Sequence, residues 1–194
     1  MTRTRADRRV KLTTALERVA IVVASLALSF GLIALLSGFF AGRDQAGVSV
    51  SAPPIGQQFP DQGNRLLQAG QPRPAYNSDP PTSGAHFPRP VTRDQVKLTD
   101  DQLLTALAAG NVVITYPGRK PPKALVAFQR KIAGPFSPSL ATSGQAVVLA
   151  RQPGTIGLIG LAWAHMVRVS AADDPLLTEF TQYWLGRGAP RSGH

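Results

Sequence analysis

The sequence has no cysteine among its 194 residues and only three histidines. The absence of Cys excludes disulfide frameworks, thiolate zinc sites, Cys-ligated iron–sulfur clusters and thiol catalysis. It does not fix the redox compartment, because an exported protein can fold without disulfides. Any metal site would therefore depend on a small number of His and Met side chains.

Acidic residues are also scarce, with 11 Asp and Glu against 21 Lys and Arg, for a net charge of +10. The first 18 residues hold six basic and two acidic residues, and this net +4 is a topology signal. We interpret a small basic cluster at Arg119, Lys120 and Lys123 as a solvated face, or as a surface that attracts anionic lipid or envelope polymer. The chain has no phosphate-binding loop or dinucleotide fingerprint, and we expect no nucleic-acid partner.

One long uncharged run covers residues 19–42 and is mostly apolar. A helix needs about 20 such residues to cross a membrane, and its backbone groups must be paired within the segment. The basic residues in 1–18 predict a cytoplasmic N-terminus and an extracytoplasmic remainder. The sequence thus predicts a single-pass protein of the plasma membrane.

A cleaved signal peptide is the alternative interpretation of this segment. The apolar part of a signal peptide covers about 7–15 residues and ends at a small-x-small cleavage site. The present run is longer and ends in FFAGRDQAG, which lacks a clean site of that kind. These features favour an uncleaved anchor.

Prolines are unevenly distributed, since nine of the 17 fall within residues 53–90. Residues 43–75 hold little apolar sequence to offset chain entropy, so we expect an extended Pro/Gly-rich tether there. A folded extracytoplasmic domain is predicted over 76–188, followed by a flexible tail at 189–194.

Residues 76–90 read YNSDPPTSGAHFPRP, a composition that excludes regular secondary structure. The aromatic rings of Tyr76 and Phe87 indicate a loop that packs on the domain, and a further stretch of linker is the alternative. The candidate binding loop consists of Tyr76, Pro80, Pro81, Thr82, Ser83, Gly84 and His86.

Helix and strand signals begin at Thr99. Thr99 and Gln102 match a capping box, and Gly110 is placed to end that helix. The following pattern predicts a strand at 111–116, a helix at 121–133, and strands at 145–150 and 156–163. It also predicts a strand at 165–169, which continues the previous strand or follows it after a kink, and a helix after Asp174.

This order predicts a small α/β (α+β) domain with a mixed sheet of three or four strands and about three helices. It is compatible with a thioredoxin-like order that lacks its first strand, although other folds share it. Without a C-x-x-C motif, that analogy has no redox implication.

His165 and Met166 are adjacent in a predicted strand. An imidazole and a thioether would suit copper, since soft ligands select Cu(I), and with His86 they form the candidate metal site. The alternative is structural, because adjacent strand residues point to opposite faces of a sheet.

Ser83 and His86 raise the further hypothesis of a hydrolase. Two residues close in sequence do not supply a base, an orienting group and an oxyanion hole together, and a loop histidine that bonds local backbone explains His86. The paired carboxylates at 100–101 and 173–174 stand at helix starts, where capping accounts for them. We therefore predict no catalytic residues.

The run YNSDPPTSGAHFP at 76–88 resembles the Y…PPTSGPHYP signature of a bacterial family known as domain of unknown function 3105. Ala85 stands where that family usually has Pro. The stretch LAAGNVVITY at 107–116 is similar to its LEHGGVVISY, and AW at 162–163 matches its TAW. The resemblance extends to Gly188 and implies an N-terminal signal or membrane anchor.

The family pattern usually has H-x-L-E-H-G before its first strand. Its two His positions correspond here to Thr105 and Ala109, and its Glu position to Ala108. For members with all these histidines a metal site, with copper as a candidate, is a reasonable inference, but of that set this chain keeps only His86. The resemblance implies a divergent member that has lost the site or rebuilt it with His165 and Met166, and it implies no activity.

Two functions of different classes therefore remain open. The favoured one is a non-enzymatic binding or accessory module of the bacterial cell envelope, without a cofactor, whose partners are the membrane and another membrane or envelope protein. The alternative is extracytoplasmic copper binding through His86, His165 and Met166. The sequence does not predict an oligomeric state.

Overall fold

The computed structural model describes residues 55–190 of the chain. The predicted N-terminal segments 1–18 and 19–42, the first part of the predicted tether and residues 191–194 lie outside this range. In chain order the elements are β1 (Gln57–Gln58), α1 (Asp100–Ala109), β2 (Val112–Tyr116), α2 (Lys123–Ala133), α3 (Pro138–Thr142), β3 (Val147–Arg151), β4 (Leu158–Ala162), β5 (His165–Val169) and α4 (Pro175–Trp184).

The strands form one mixed sheet in the order β1-β5-β4-β2-β3. β2 and β3 are parallel, with Val112 opposite Val147, and the crossover through α2 and α3 makes that pairing possible. β4 is antiparallel to both β2 and β5, and β1 is antiparallel to β5, with Gln57 opposite Met166. The described domain is therefore mixed α+β.

The sheet has a hydrophobic core on each face, as the alternation of strand side chains requires. On one face, Val113 packs with Leu104 and Leu107 of α1 and with Ala141 of α3. On the other face, strand side chains pack against α2 and α4, whose buried residues there are Leu125, Phe128, Leu177 and Phe180. Helices thus cover both faces of the sheet.

The predicted ends of α1 and the predicted start of α4 are confirmed. The Thr99 hydroxyl accepts a hydrogen bond from the Gln102 N–H, the Gln102 side chain accepts one from the Thr99 N–H, and Gly110 ends α1 with φ +109°. Asp174 caps α4 by accepting from the Leu176 N–H at 2.9 Å. These ends are predictable because a cap depends on residues a few positions apart.

The described residues contain five strands and four helices, against the three or four strands and about three helices expected. The additional elements are β1 and α3, which are two and five residues long. Neither is long enough to show a hydrophobic period. Buried Asn111 positions α3: its amide donates to the carbonyl oxygens of Ala106 and Ala141 at 3.0 and 2.7 Å.

Residues 55–75, the described part of the predicted tether, lie against the domain instead of extending away from it. Gln57 and Gln58 pair with β5, Leu67 is buried, and the Ile55 carbonyl accepts a hydrogen bond from Trp184 Nε1 at 2.9 Å. Hydrogen bonds to its main chain hold this segment in place, and its amino-acid composition does not predict them. Within residues 55–190 no helix is long and apolar enough to cross a membrane.

Candidate functional site

The motif loop is an ordered part of the domain, paired with residues of the predicted tether. The Gly84 N–H donates to the Gly63 carbonyl at 3.0 Å, and the His86 N–H donates to the Arg65 carbonyl at 3.1 Å. The Leu67 N–H donates back to the His86 carbonyl at 2.8 Å. We call residues 60–67 and 82–86, held together in this way, the clasp.

The polar side chains of the motif are buried inside the clasp. Thr82 and Ser83 have no exposed surface, and the loop is buried from Pro80 to His86. The Ser83 hydroxyl accepts from the Gln62 N–H at 3.1 Å, and the Ser78 hydroxyl accepts from the Thr82 N–H at 3.0 Å. The Ser83 hydroxyl therefore bonds the segment 60–67, and the Ser78 hydroxyl bonds the motif loop itself.

Gly84 and Tyr76 pack directly against each other. Gly84 has φ +127°, and a Cβ atom there would lie 3.0 Å from the Tyr76 ring. The Tyr76 hydroxyl donates to the Ala85 carbonyl at 3.0 Å. Burial raises the pKa of Tyr76, and the carboxylates of Asp101 and Asp100 raise it further. Tyr76 is thus a neutral residue that packs on the clasp and donates a hydrogen bond to it.

His86 is 1% exposed, and its Nδ1–H donates to the Gly84 carbonyl at 2.9 Å. Its ring lies beside that of Trp163, with the centroids 6.4 Å apart. Within the described residues no hydrogen bond joins the Ser83 hydroxyl to this imidazole, because Ser83 contacts the main chain of 60–62 instead. The two residues do not form a catalytic dyad here.

An ion pair between half-exposed Arg73 and buried Asp101 secures residue 73 to the start of α1. Asp101 has a buried carboxylate that contacts the Arg73 guanidinium and accepts a hydrogen bond from the Phe87 N–H at 3.1 Å. Arg73 also lies over the Phe87 ring, 5.4 Å from its centroid. The second carboxylate of the pair at 100–101 therefore joins three segments, a role beyond helix capping.

His165 lies in a buried aromatic site between β5 and α4. Its ring stacks on Trp184 with centroids 3.8 Å apart, and its Nδ1–H donates to the Trp163 carbonyl at 2.8 Å. Its Nε2 atom is buried and has no hydrogen-bond partner among the described residues. Burial lowers the pKa of His165, and the bond to Trp163 offsets part of that effect.

Met166 points to the opposite face of the sheet. It packs in the core beneath α1 together with Trp163, whereas Trp184, the stacking partner of His165, packs against the core beneath α2 and α4. His86 lies on the Met166 side, next to Trp163. His165 and Met166 therefore face opposite sides of the sheet, as the alternation of strand side chains predicts.

No group of three or more His, Asp or Glu residues within 55–190 is placed to hold a metal ion. Thr105 and Ala109, where the family pattern has histidines, line a small pocket of about 140 Å³ together with Asn111 and Ala141. The two positions are four residues apart on α1 and therefore share one face of the helix.

An exposed groove beside α2, which we call the basic groove, is lined by three cationic side chains. It measures about 780 Å³ and is lined by Gln95, Lys120, Pro121, Lys123, Val126, Ala127 and Arg130. The sequence indicates part of its charge through the basic cluster at 119–123. It does not indicate that Gln95 forms the facing wall, because that placement depends on a contact with β3.

The comparisons with known proteins agree with the motif resemblance. The family model described as Protein of unknown function (DUF3105) matches residues 69–193. No curated protein matches the chain, and no solved structure matches it. The family predicted from the motif loop is confirmed, and the chain belongs to the DUF3105 family.

Proposed function

We propose that the chain is a membrane-anchored binding or accessory protein of the bacterial cell envelope, with its folded domain outside the cytoplasm and no catalytic role. One observation carries this proposal. Ser83 and His86, the motif residues with catalytic potential, are buried and bonded to the main chain of the clasp. The motif therefore has a structural role, and we assign partner recognition to the exposed surface.

The anchor and its orientation rest on the sequence. The uncharged run at 19–42 follows a basic segment, which favours a cytoplasmic N-terminus and an extracytoplasmic domain. Since residues 55–75 pack on the domain, the Pro-rich tether is reduced to 43–54. Those twelve residues can span at most about 40 Å, so we infer that the partner contacts the domain close to the membrane.

The arrangement of the sheet supports a thioredoxin-like order as the finer description of the fold. β2 and β3 are parallel, and β4 and β5 add to the β2 side as an antiparallel pair. α1 lies on one face, with α2 and α4 on the other. This is a proposal about architecture only, because a shared fold does not carry a function.

Topology is tested by fusing a reporter that is active only outside the cytoplasm to the C-terminus of the full chain. We expect an active fusion, and we expect an inactive one when the basic residues of 1–18 are replaced by acidic ones. An inactive reporter on the unmodified chain would refute the extracytoplasmic placement.

Partner binding is tested by affinity purification of the full chain from cross-linked, detergent-solubilised membranes, followed by mass spectrometry. Residues 1–54 alone, carrying the same tag, are the control for contacts made by the anchor. We expect a membrane or envelope protein that is enriched reproducibly with the full chain and not with the control. Recovery of the free chain alone would count against a binding function.

A further inference from the structure

We propose that the basic groove is a docking site for an acidic segment of a partner protein. This inference rests on the proposed binding function and adds the chemistry of the partner. The groove combines an apolar floor with a rim of cations, and a rigid wall faces its helix.

α2 forms the floor of the groove and, with Lys120 just before it, the cationic rim. Leu125 and Phe128 of α2 are buried in the core, so the helix is fixed on the sheet. Its other side presents Val126 and Ala127 to the groove, while Lys123 and Arg130 are exposed at the rim. Apolar floor and charged rim together suit a chain whose side chains carry carboxylates on aliphatic stems.

The charge of the groove is not neutralised within the described part of the chain. None of the lining residues is acidic, and α2 contains no Asp or Glu. Lys120, Lys123 and Arg130 form no ion pair with any described residue. Asp94, which precedes the wall residue Gln95, is occupied internally, because its carboxylate accepts from Gln129 Nε2 and from the Leu149 N–H, both at 2.7 Å.

The facing wall is held rigidly by the sheet. Gln95 has φ +61°, a conformation that few residues other than Gly adopt. Its N–H donates to the Leu149 carbonyl at 2.8 Å, and its carbonyl accepts from the hydroxyl of buried Tyr116 at 3.2 Å. A groove that is already formed does not have to be ordered when a partner binds, which favours affinity.

The shape of the surface favours a peptide segment over a lipid bilayer. A groove of about 780 Å³ has the size of sites that bind a ligand, and it is open to solvent. A bilayer surface would reach the cations of the rim and exposed Ala127, but not half-buried Val126. An extended acidic segment reaches both, so charge and shape together point to a protein partner.

The test is binding of a fluorescent oligo-glutamate peptide to the full chain in nanodiscs of phosphatidylcholine, followed by fluorescence anisotropy at low and high salt. The groove variant carries Lys120→Gln, Lys123→Gln and Arg130→Gln. The matched control carries Arg65→Gln, Arg89→Gln and Lys131→Gln, three exposed cations that do not line the groove. The basic N-terminal segment is present in every protein, so its contribution to binding is common to all.

We expect the groove variant to bind the peptide about tenfold more weakly than the parent and the control to change by less than about twofold. Salt should weaken binding to the parent more than to the groove variant. Equal losses in the two variants would overturn the proposal, because net charge alone would explain them. Circular dichroism spectra that match the parent confirm that both variants are folded.

Vesicles of phosphatidylglycerol test the alternative partner. Groove-dependent binding to these vesicles without binding of the peptide would overturn the proposal in favour of a membrane contact. The affinity purification, repeated with the groove variant, separates this inference from the proposed function. If the variant still recovers the partner of the parent, the groove proposal fails and the binding function stands; if neither protein recovers a partner, the binding function fails.

Discussion

The main-chain N–H of Gly84 donates a hydrogen bond to the carbonyl oxygen of Gly63 at 3.0 Å. This bond joins the family motif to a segment whose composition is that of a tether. The pairing of His86 with Arg65 and of Leu67 with His86 continues it. The motif is therefore one side of a clasp that fixes residues 60–67 on the domain, and its role in the structure is to hold that segment in place.

Gly84→Ala should destabilise the clasp more than the same change at Gly63. Both residues have positive φ, but a Cβ at Gly84 would lie 3.0 Å from the Tyr76 ring, whereas a Cβ at Gly63 would have no atom within 4 Å. We expect a loss of about 2–3 kcal/mol in the free energy of unfolding for Gly84→Ala and about 1 kcal/mol for Gly63→Ala. Denaturant titration of the full chain measures both, and equal losses would show that the ring contact is unimportant.

Ser83→Ala should act on stability. Its hydroxyl accepts the Gln62 N–H, and without it this donor at the clasp loses its partner. We expect the free energy of unfolding to fall by about 1–3 kcal/mol. Ser139→Ala, at an exposed position of α3, is the control and should cost less than about 0.5 kcal/mol. A neutral Ser83→Ala variant would contradict the structural role of the motif hydroxyl.

Arg73 and Asp101 should show energetic coupling in a double-mutant cycle. The Asp101 carboxylate is buried, and its charge is paired with the half-exposed Arg73. The cycle with Arg73→Gln and Asp101→Asn should give a coupling of about 1–3 kcal/mol. The same cycle with exposed Asp100→Asn should give less than about 0.5 kcal/mol. Similar coupling at both positions would indicate a general charge effect in place of a specific pair.

His165 should make the domain less stable in mild acid. Burial lowers its pKa below the ordinary value of 6.5, so the unfolded chain takes up a proton before the folded one does. The stability present above that value is lost as the pH falls from it through the lower pKa of the folded state. His165→Phe keeps a ring against Trp184 without a titrating group and should flatten this part of the curve. Parallel curves of unfolding free energy against pH would contradict the assignment.

Thr105→His with Ala109→His should create a metal site on α1. The two side chains line one pocket from successive turns of α1, and His residues four apart on a helix can bind one ion. Titration with Zn²⁺ should show tighter binding to the double variant than to either single variant. No gain over the single variants would show that the two positions do not converge on one ion.

Local signals predict most of the regular structure. The capping box at Thr99, the glycine at 110 and the Asp-Pro start of α4 are confirmed because each depends on neighbours in sequence. β1 is not predictable in this way, since two Gln residues become a strand only by pairing with β5. α3 depends on Asn111, whose amide reaches Ala141 from the start of β2.

The site was less predictable than the fold. A run such as PPTSGAH has the composition of an exposed loop, and nothing in it reveals that its partner is a segment of equally polar composition. Strand alternation alone predicts that His165 and Met166 lie on opposite faces of the sheet. The basic groove combines residues of 119–130 with Gln95, which the tertiary structure alone brings together.

Hydrogen exchange at the amides of Leu67, Gly84 and His86 in the full chain tests most directly the claim that the family motif is a structural clasp. All three N–H groups are bonded across the clasp. We predict that they exchange as slowly, to within an order of magnitude, as the paired amides of β2 and β4. Exchange at the rate of an unprotected loop, while the sheet amides remain protected, would contradict the account.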